Sequence, residues 1–153
     1  MEHSPTTGLI ICEQTGQWAT ALRRELGDAA SPLHETRLLD EAWLALAEMP
    51  AAFVVAEFTQ KNADDLLRRA VWLSRDFPQA RLAIVAARRF AGQRWLLQAS
   101  GAVHALFSPR DLGPLADIAR RHMALVPSPP IPVAQRVWQS LPWSSNPRRS
   151  PVY

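Results

Sequence analysis

Acidic, thiol and hydroxyl side chains recur at the ends of short apolar runs, where the edge of a sheet would gather them. Cys12 and Glu13 close the run "LIICE", Glu57 closes "AAFVVAE", Ala86 to Arg89 end and follow "RLAIVA", and Ser108 to Arg110 follow "AVHALF". Carboxylates so placed are hard oxygen ligands for a divalent cation, and a cysteine is a nucleophile only as its thiolate. Cys12 is the only cysteine, so an intrachain disulfide and a thiolate metal cluster are both excluded. His3, His34, His104 and His122 are too scattered in sequence to read as a zinc site. No metal and no cofactor is expected.

The elements that must position these residues follow from periodicity. Strands are expected at 8–12, 33–36, 51–57, 81–86 and 102–107. The third and fourth are apolar on successive rather than alternate residues, as central parallel strands buried on both faces must be. Apolar spacings of three and four mark the helices between them. Trp18, Leu22 and Leu26 mark the first, ended by Gly27; Leu39, Trp43, Leu46 and Met49 the second, with Asp40 as its N-cap. Leu66, Ala70 and Leu73, with Trp72 beside them, mark the third, capped by Asn62. Trp95 and Leu96 mark a short fourth, and Leu112, Leu115, Ile118, Ala119 and Met123 the fifth. Five β-then-α units in sequence imply a doubly wound α/β fold, a five-stranded parallel sheet with helices on both faces. In such sheets the functional crevice lies beyond the carboxyl ends of the strands.

The folded domain is expected to span residues 1–126. Residues 127–153 hold seven of the 13 prolines and read as a tail. Within "IPVAQRVWQSLPW", Ala134, Val137, Trp138 and Leu141 recur at three and four, with Trp143 just beyond. Two isolated helical turns are unstable in water, so this segment needs something to dock on, either its own domain or a partner's groove.

Composition narrows the function. The net charge is +3, and Lys61 is the only lysine among 17 basic residues. The charges alternate in sign along the first 125 residues, which describes solvated helix faces rather than a nucleic-acid stripe. No apolar run approaches the ~20 residues that span a bilayer, and the start, Met-Glu-His-Ser-Pro, does not resemble a signal peptide. The expectation is a cytoplasmic protein without a membrane partner.

Four segments in order resemble the receiver domain of bacterial response regulators, which has a flavodoxin-like fold: "LIICE" at 9–13, "FVVAE" at 53–57, "LAIVAA" at 82–87 and "SGAVHALFSPRDL" at 100–112. The last matches the family's Gly-Ala turn, fifth strand and Lys-Pro dipeptide in register through Pro109. The resemblance implies a phosphoacceptor site in which an acidic pair and an aspartate hold Mg²⁺, while a hydroxyl and a lysine grip the phosphoryl group. Here Cys12 takes one acidic position and Glu13 keeps the other. Glu57 stands for the acceptor, Ala86 for the hydroxyl residue, Ser108 for the lysine and Ala105 for the aromatic switch. Arg88 and Arg89 are expected beside Glu57 as substitutes for the lost positive charge.

The sequence therefore reads as a degenerate, pseudo-receiver module that binds another protein without phosphorylation and without catalysis. Val137, Trp138, Leu141 and Trp143 are its expected partner-binding residues. The resemblance adds a homodimer through residues 91–124. Two other readings stay open: an atypical receiver phosphorylated or constitutively active at Glu57, and nucleic-acid binding through Arg136, Arg148 and Arg149 with Trp138 and Trp143. Three arginines on a tail are a thin basis for the latter.

Overall fold

In the computed structural model, residues 7–27 and 33–125 are described. The tail, with Val137, Trp138, Leu141 and Trp143, lies outside them. Five strands run parallel in the order β2-β1-β3-β4-β5: β1 Leu9–Cys12, β2 Leu33–Thr36, β3 Phe53–Phe58, β4 Arg81–Ala86 and β5 His104–Leu106. Helices α1 Gln17–Leu26, α2 Leu39–Glu48, α3 Ala63–Asp76, α4 Arg94–Ala99 and α5 Gly113–Leu125 alternate with them. The expected doubly wound fold is the observed one.

Alternation along the strands divides the interior into two cores. Leu9, Ile11, Phe53, Val55, Ala83 and Val85 face α1 and α5, meeting Trp18, Leu22, Leu115 and Ala119. Ile10, Val54, Ala56, Leu82 and Ile84 face α2, α3 and α4, meeting Leu46, Leu66, Ala70, Leu73 and Leu97. Burying one such Leu, Ile or Phe side chain contributes about 1.5–3 kcal/mol. The central strands β1, β3 and β4 carry most of that burial. β2 lies at an edge, and its central His34 and Glu35 are exposed, which accounts for its polar sequence.

Several local details differ from expectation. Asp40 does not cap α2: the cap position is Leu38, without a side-chain bond, and Asp40 lies in the first turn, paired to Arg69. Its charge still suits the positive end of the helix dipole. Asn62 stands at the α3 cap position but turns its amide back to the loop. β3 runs one residue beyond Glu57, through Phe58, and the chain after β4 winds through a 3-10 turn, Arg88–Gln93, before α4 begins. Gly16 takes φ +86° at the α1 cap, a left-handed conformation that favours glycine.

Candidate functional site

The carboxyl ends of β1, β2 and β3 open on a cleft of about 350 Å³. Cys12, Glu13 and Glu57 line it, as does a set the sequence reading did not select: Arg37, Asp40, Thr59, Lys61, Asn62 and Asp65. Of these, Asp40 and Asn62 were read only as helix caps, and Lys61 carried a signal as the single lysine of the chain. Ala86 is fully buried at the end of β4, and Ser108 lines a separate cleft with Arg88, Arg94, His104 and Asp111. The five site positions that the receiver resemblance brings together are thus divided: Cys12, Glu13 and Glu57 face the first cleft, and the hydroxyl and lysine equivalents do not.

Glu13 is the clearest departure. It is 1% exposed, and its carboxylate accepts hydrogen bonds from the Trp18 N–H at 3.0 Å and the Ala19 N–H. These are the second and third amides of α1, groups a helix leaves unsatisfied at its N-terminus. Thr15 Oγ1 accepts from the Gln17 N–H at 3.4 Å. With glycine at the cap position, which has no side chain to do this, Glu13 performs the capping from three residues upstream. Both carboxylate oxygens are engaged, and the helix dipole adds to their stabilisation.

Cys12 is buried beside it, and burial pushes the thiol pKa up, reinforced by the nearby carboxylates of Glu41 and Glu57. A protonated, buried thiol is neither a nucleophile nor a hard ligand. Among the described residues, no group of three or more His, Cys, Asp or Glu side chains stands close enough to hold a metal ion. The Mg²⁺ that the resemblance implies does not fit these residues, since one acidic position is a thiol and the other is committed to α1.

Glu57 remains half-buried, and its Oε1 accepts from the Gln14 N–H at 3.2 Å, joining β3 to the loop after β1. The loop after β3 is closed by Asn62. Its Oδ1 accepts from the Thr59 N–H at 2.8 Å, and its Nδ2 donates to the Glu57 carbonyl at 2.7 Å. On the other wall, Arg37 donates to the Glu13 carbonyl at 3.1 Å and pairs with Glu35. Asp40 and Asp65, also in the lining, both pair with Arg69.

Arg88 and Arg89 do not supply a charge to Glu57: among the described residues, neither forms an ion pair with it. The reason is Phe90, which meets Phe58 edge-on at 5.2 Å and anchors the 3-10 turn. Arg89 lies over the Phe90 ring at 4.8 Å, and Arg88 reaches the cleft beside β5. Ser108 is likewise engaged, its Oγ accepting from the Arg110 N–H at 3.3 Å with Pro109 in the first position of the short turn Pro109–Asp111.

Two histidines have defined surroundings. His122 Nε2 donates to the Ala51 carbonyl at 2.7 Å while its ring packs against Phe53, tying α5 to the start of β3. His104 on β5 has its pKa pushed down, first by burial and then by the Arg94 guanidinium.

No protein-family model and no curated protein sequence matches the chain. Two solved structures are similar in fold. A CheY-like protein, TadZ from Pseudomonas aeruginosa PAO1, aligns with a TM-score of 0.57 at 16% identity, over 81% of this chain and 98% of that one. A protein from Burkholderia pseudomallei K96243 described as pilus assembly-related aligns with a TM-score of 0.52 at 17% identity, over 81% and 94% of the two chains. At such identities the likeness is one of fold, and that fold is the CheY-like receiver architecture.

Proposed function

We propose that the chain is a receiver-like interaction module of bacterial signalling that works without phosphotransfer. The observation that carries this reading is the commitment of Glu13 to the amides of α1, which removes the one member of the acidic pair the sequence retains. Ala86 offers no hydroxyl, and Ser108 offers no cation in the place of the lysine. A lysine about 4 Å from a phosphoryl oxygen is worth on the order of 4 kcal/mol at an effective dielectric of 20. Each factor of ten in rate needs only about 1.4 kcal/mol, so the combined losses amount to many orders of magnitude.

With catalysis gone, signal passes by contact. The tail residues Val137, Trp138, Leu141 and Trp143 are the proposed partner-binding set. The Burkholderia neighbour makes a pilus-assembly component the first partner to test. Incubation with acetyl phosphate and Mg²⁺, followed by intact-mass measurement, tests the absence of phosphotransfer. No phosphoryl adduct is expected; an adduct lost on Glu57→Ala would overturn the reading in favour of an atypical acceptor.

A further inference from the structure

We infer that the outer face of α3 is a self-complementary surface on which a second copy of this chain docks antiparallel. The inference is independent of the phosphotransfer reading. Seven large apolar side chains are exposed among the described residues, and four of them lie on the α2–α4 layer: Leu44, Val71, Trp72 and Trp95. On the opposite layer α1 carries none, and α5 only its terminal Leu125. α3 is the middle helix of its layer. Asp40 of α2 pairs with Arg69, whose guanidinium also lies over the Trp43 ring at 5.1 Å. On the other flank, a Cβ at Gly101, just after α4, would stand 3.4 Å from the Ala70 carbonyl of α3.

The buried stripe of α3 is Leu66, Ala70 and Leu73. At about 100° per residue, the opposite stripe is Asp64, Arg68, Val71 and Arg75, with Trp72 beside it, and all five are exposed. Asp64, Arg68 and Arg75 belong to no ion pair among the described residues. Trp72 stays 48% exposed although the Arg75 guanidinium lies 5.0 Å over its ring. The stripe therefore has an acid at its start and a base at its end, with Arg68 and Val71 between them and Trp72 alongside.

Such an order identifies the occupant. A two-fold axis midway between Arg69 and Ala70 sets Asp64 opposite Arg75 of the second copy, and Arg75 opposite the second copy's Asp64. The same axis places Arg68 against Val71 and next to Trp72 across the contact, where a guanidinium can stack on the indole face. A two-fold interface uses the same patch on both copies, and here Asp64 with Arg75, and Arg68 with Trp72, meet that condition reciprocally. One helix pair falls short of the roughly 1,200–2,000 Å² that specific interfaces bury. Leu44 and Trp95, each 71% exposed on the flanking helices, extend the apolar area on both sides.

Sedimentation velocity on the full chain across a micromolar concentration series tests the proposal. Reversible self-association is expected, weakened by added salt. Asp64→Arg or Arg75→Asp alone should each weaken it by about tenfold or more, as should Trp72→Glu. The double exchange Asp64→Arg with Arg75→Asp restores both reciprocal pairs and should return affinity to within about threefold. Circular dichroism checks that each variant keeps its fold. A chain that stays monomeric throughout the series overturns the proposal. So does a dimer indifferent to Trp72→Glu, or a double exchange no tighter than the single ones; a dimer of that kind would belong elsewhere, with residues 91–124 the next surface to test.

Discussion

The cleft at the carboxyl edge of the sheet and the outer face of α2–α4 are opposites in how their side chains are used. In the cleft, groups whose types suggest chemistry are bonded to the protein itself: Glu13 to α1, Glu57 to the Gln14 amide, Asn62 to the loop after β3. On the α2–α4 face, groups with no chemistry to perform, Leu44, Val71, Trp72 and Trp95, are left uncovered. A site that must react keeps its polar atoms available, whereas a surface that must bind keeps its apolar atoms available. In this receiver-like fold the carboxyl edge of the sheet is tied into the structure, and the large apolar groups left uncovered stand on the helices.

Glu13 offers the largest effect by which that comparison can be broken. If the carboxylate is a helix cap, Glu13→Ala removes two charge-assisted bonds and leaves buried amides without partners. The expected loss of stability is about 2 kcal/mol, read as a lowered midpoint in urea unfolding with an unchanged slope. Glu13→Gln keeps one acceptor oxygen and should fall between the two. A Glu13→Ala protein as stable as the parent would show that the carboxylate is free for other work, and the contrast with the α2–α4 face would fail.

How much of this was legible in the sequence depends on the range of the interactions involved. β3 and β4 were legible as apolar runs because a strand buried on both faces has no polar alternation to hide it. The exposure of Trp72 and Trp95 was not read: their helical spacings suggest packing, yet they are 48% and 71% exposed. Glu13 was not read as a cap, because the residue at the cap position is Gly16 and the carboxylate returns from outside the usual window. Arg88 and Arg89 were misplaced for a similar reason. Their direction depends on the contact between Phe90 and Phe58, a long-range packing event with no periodic signature. The division of the receiver positions between two clefts belongs to the same class of facts.

The tail sharpens the comparison at an intermediate scale. Residues 127–153 lie outside the described structure, yet they carry two of the six tryptophans and the apolar stripe of Val137, Trp138 and Leu141. If binding has moved away from the reactive edge, Trp138→Ala, alone or with Trp143→Ala, should weaken capture of a protein partner at least about tenfold, or about 1.4 kcal/mol. The core should unfold as before. Titration calorimetry with the purified partner, beside thermal unfolding of the same variants, separates the two quantities. Cooperative loss of domain stability on removing residues 127–153 would show instead that the tail covers its own domain.

The smallest expected effect is at Glu57, and it tests the other half of the comparison. Its carboxylate occupies the place of the phosphoacceptor, so a permanent negative charge there could stand in for a phosphoryl group. Such a signal must be read by a cation and a hydroxyl, and those positions hold Ser108 and Ala86. Arg88 and Arg89 are held away by Phe90, and among the described residues the one hydrogen bond to the Glu57 carboxylate comes from a backbone amide 3.2 Å away. An amide oxygen accepts more weakly than a carboxylate, but this single bond is long and exposed, so little depends on it. Glu57→Gln should therefore shift stability by no more than about 0.5 kcal/mol and leave partner affinity unchanged. A large loss of affinity with the fold intact would mean that the charge itself is read. The cleft would then be an active surface, and the division between a structural edge and a binding face would no longer describe the molecule.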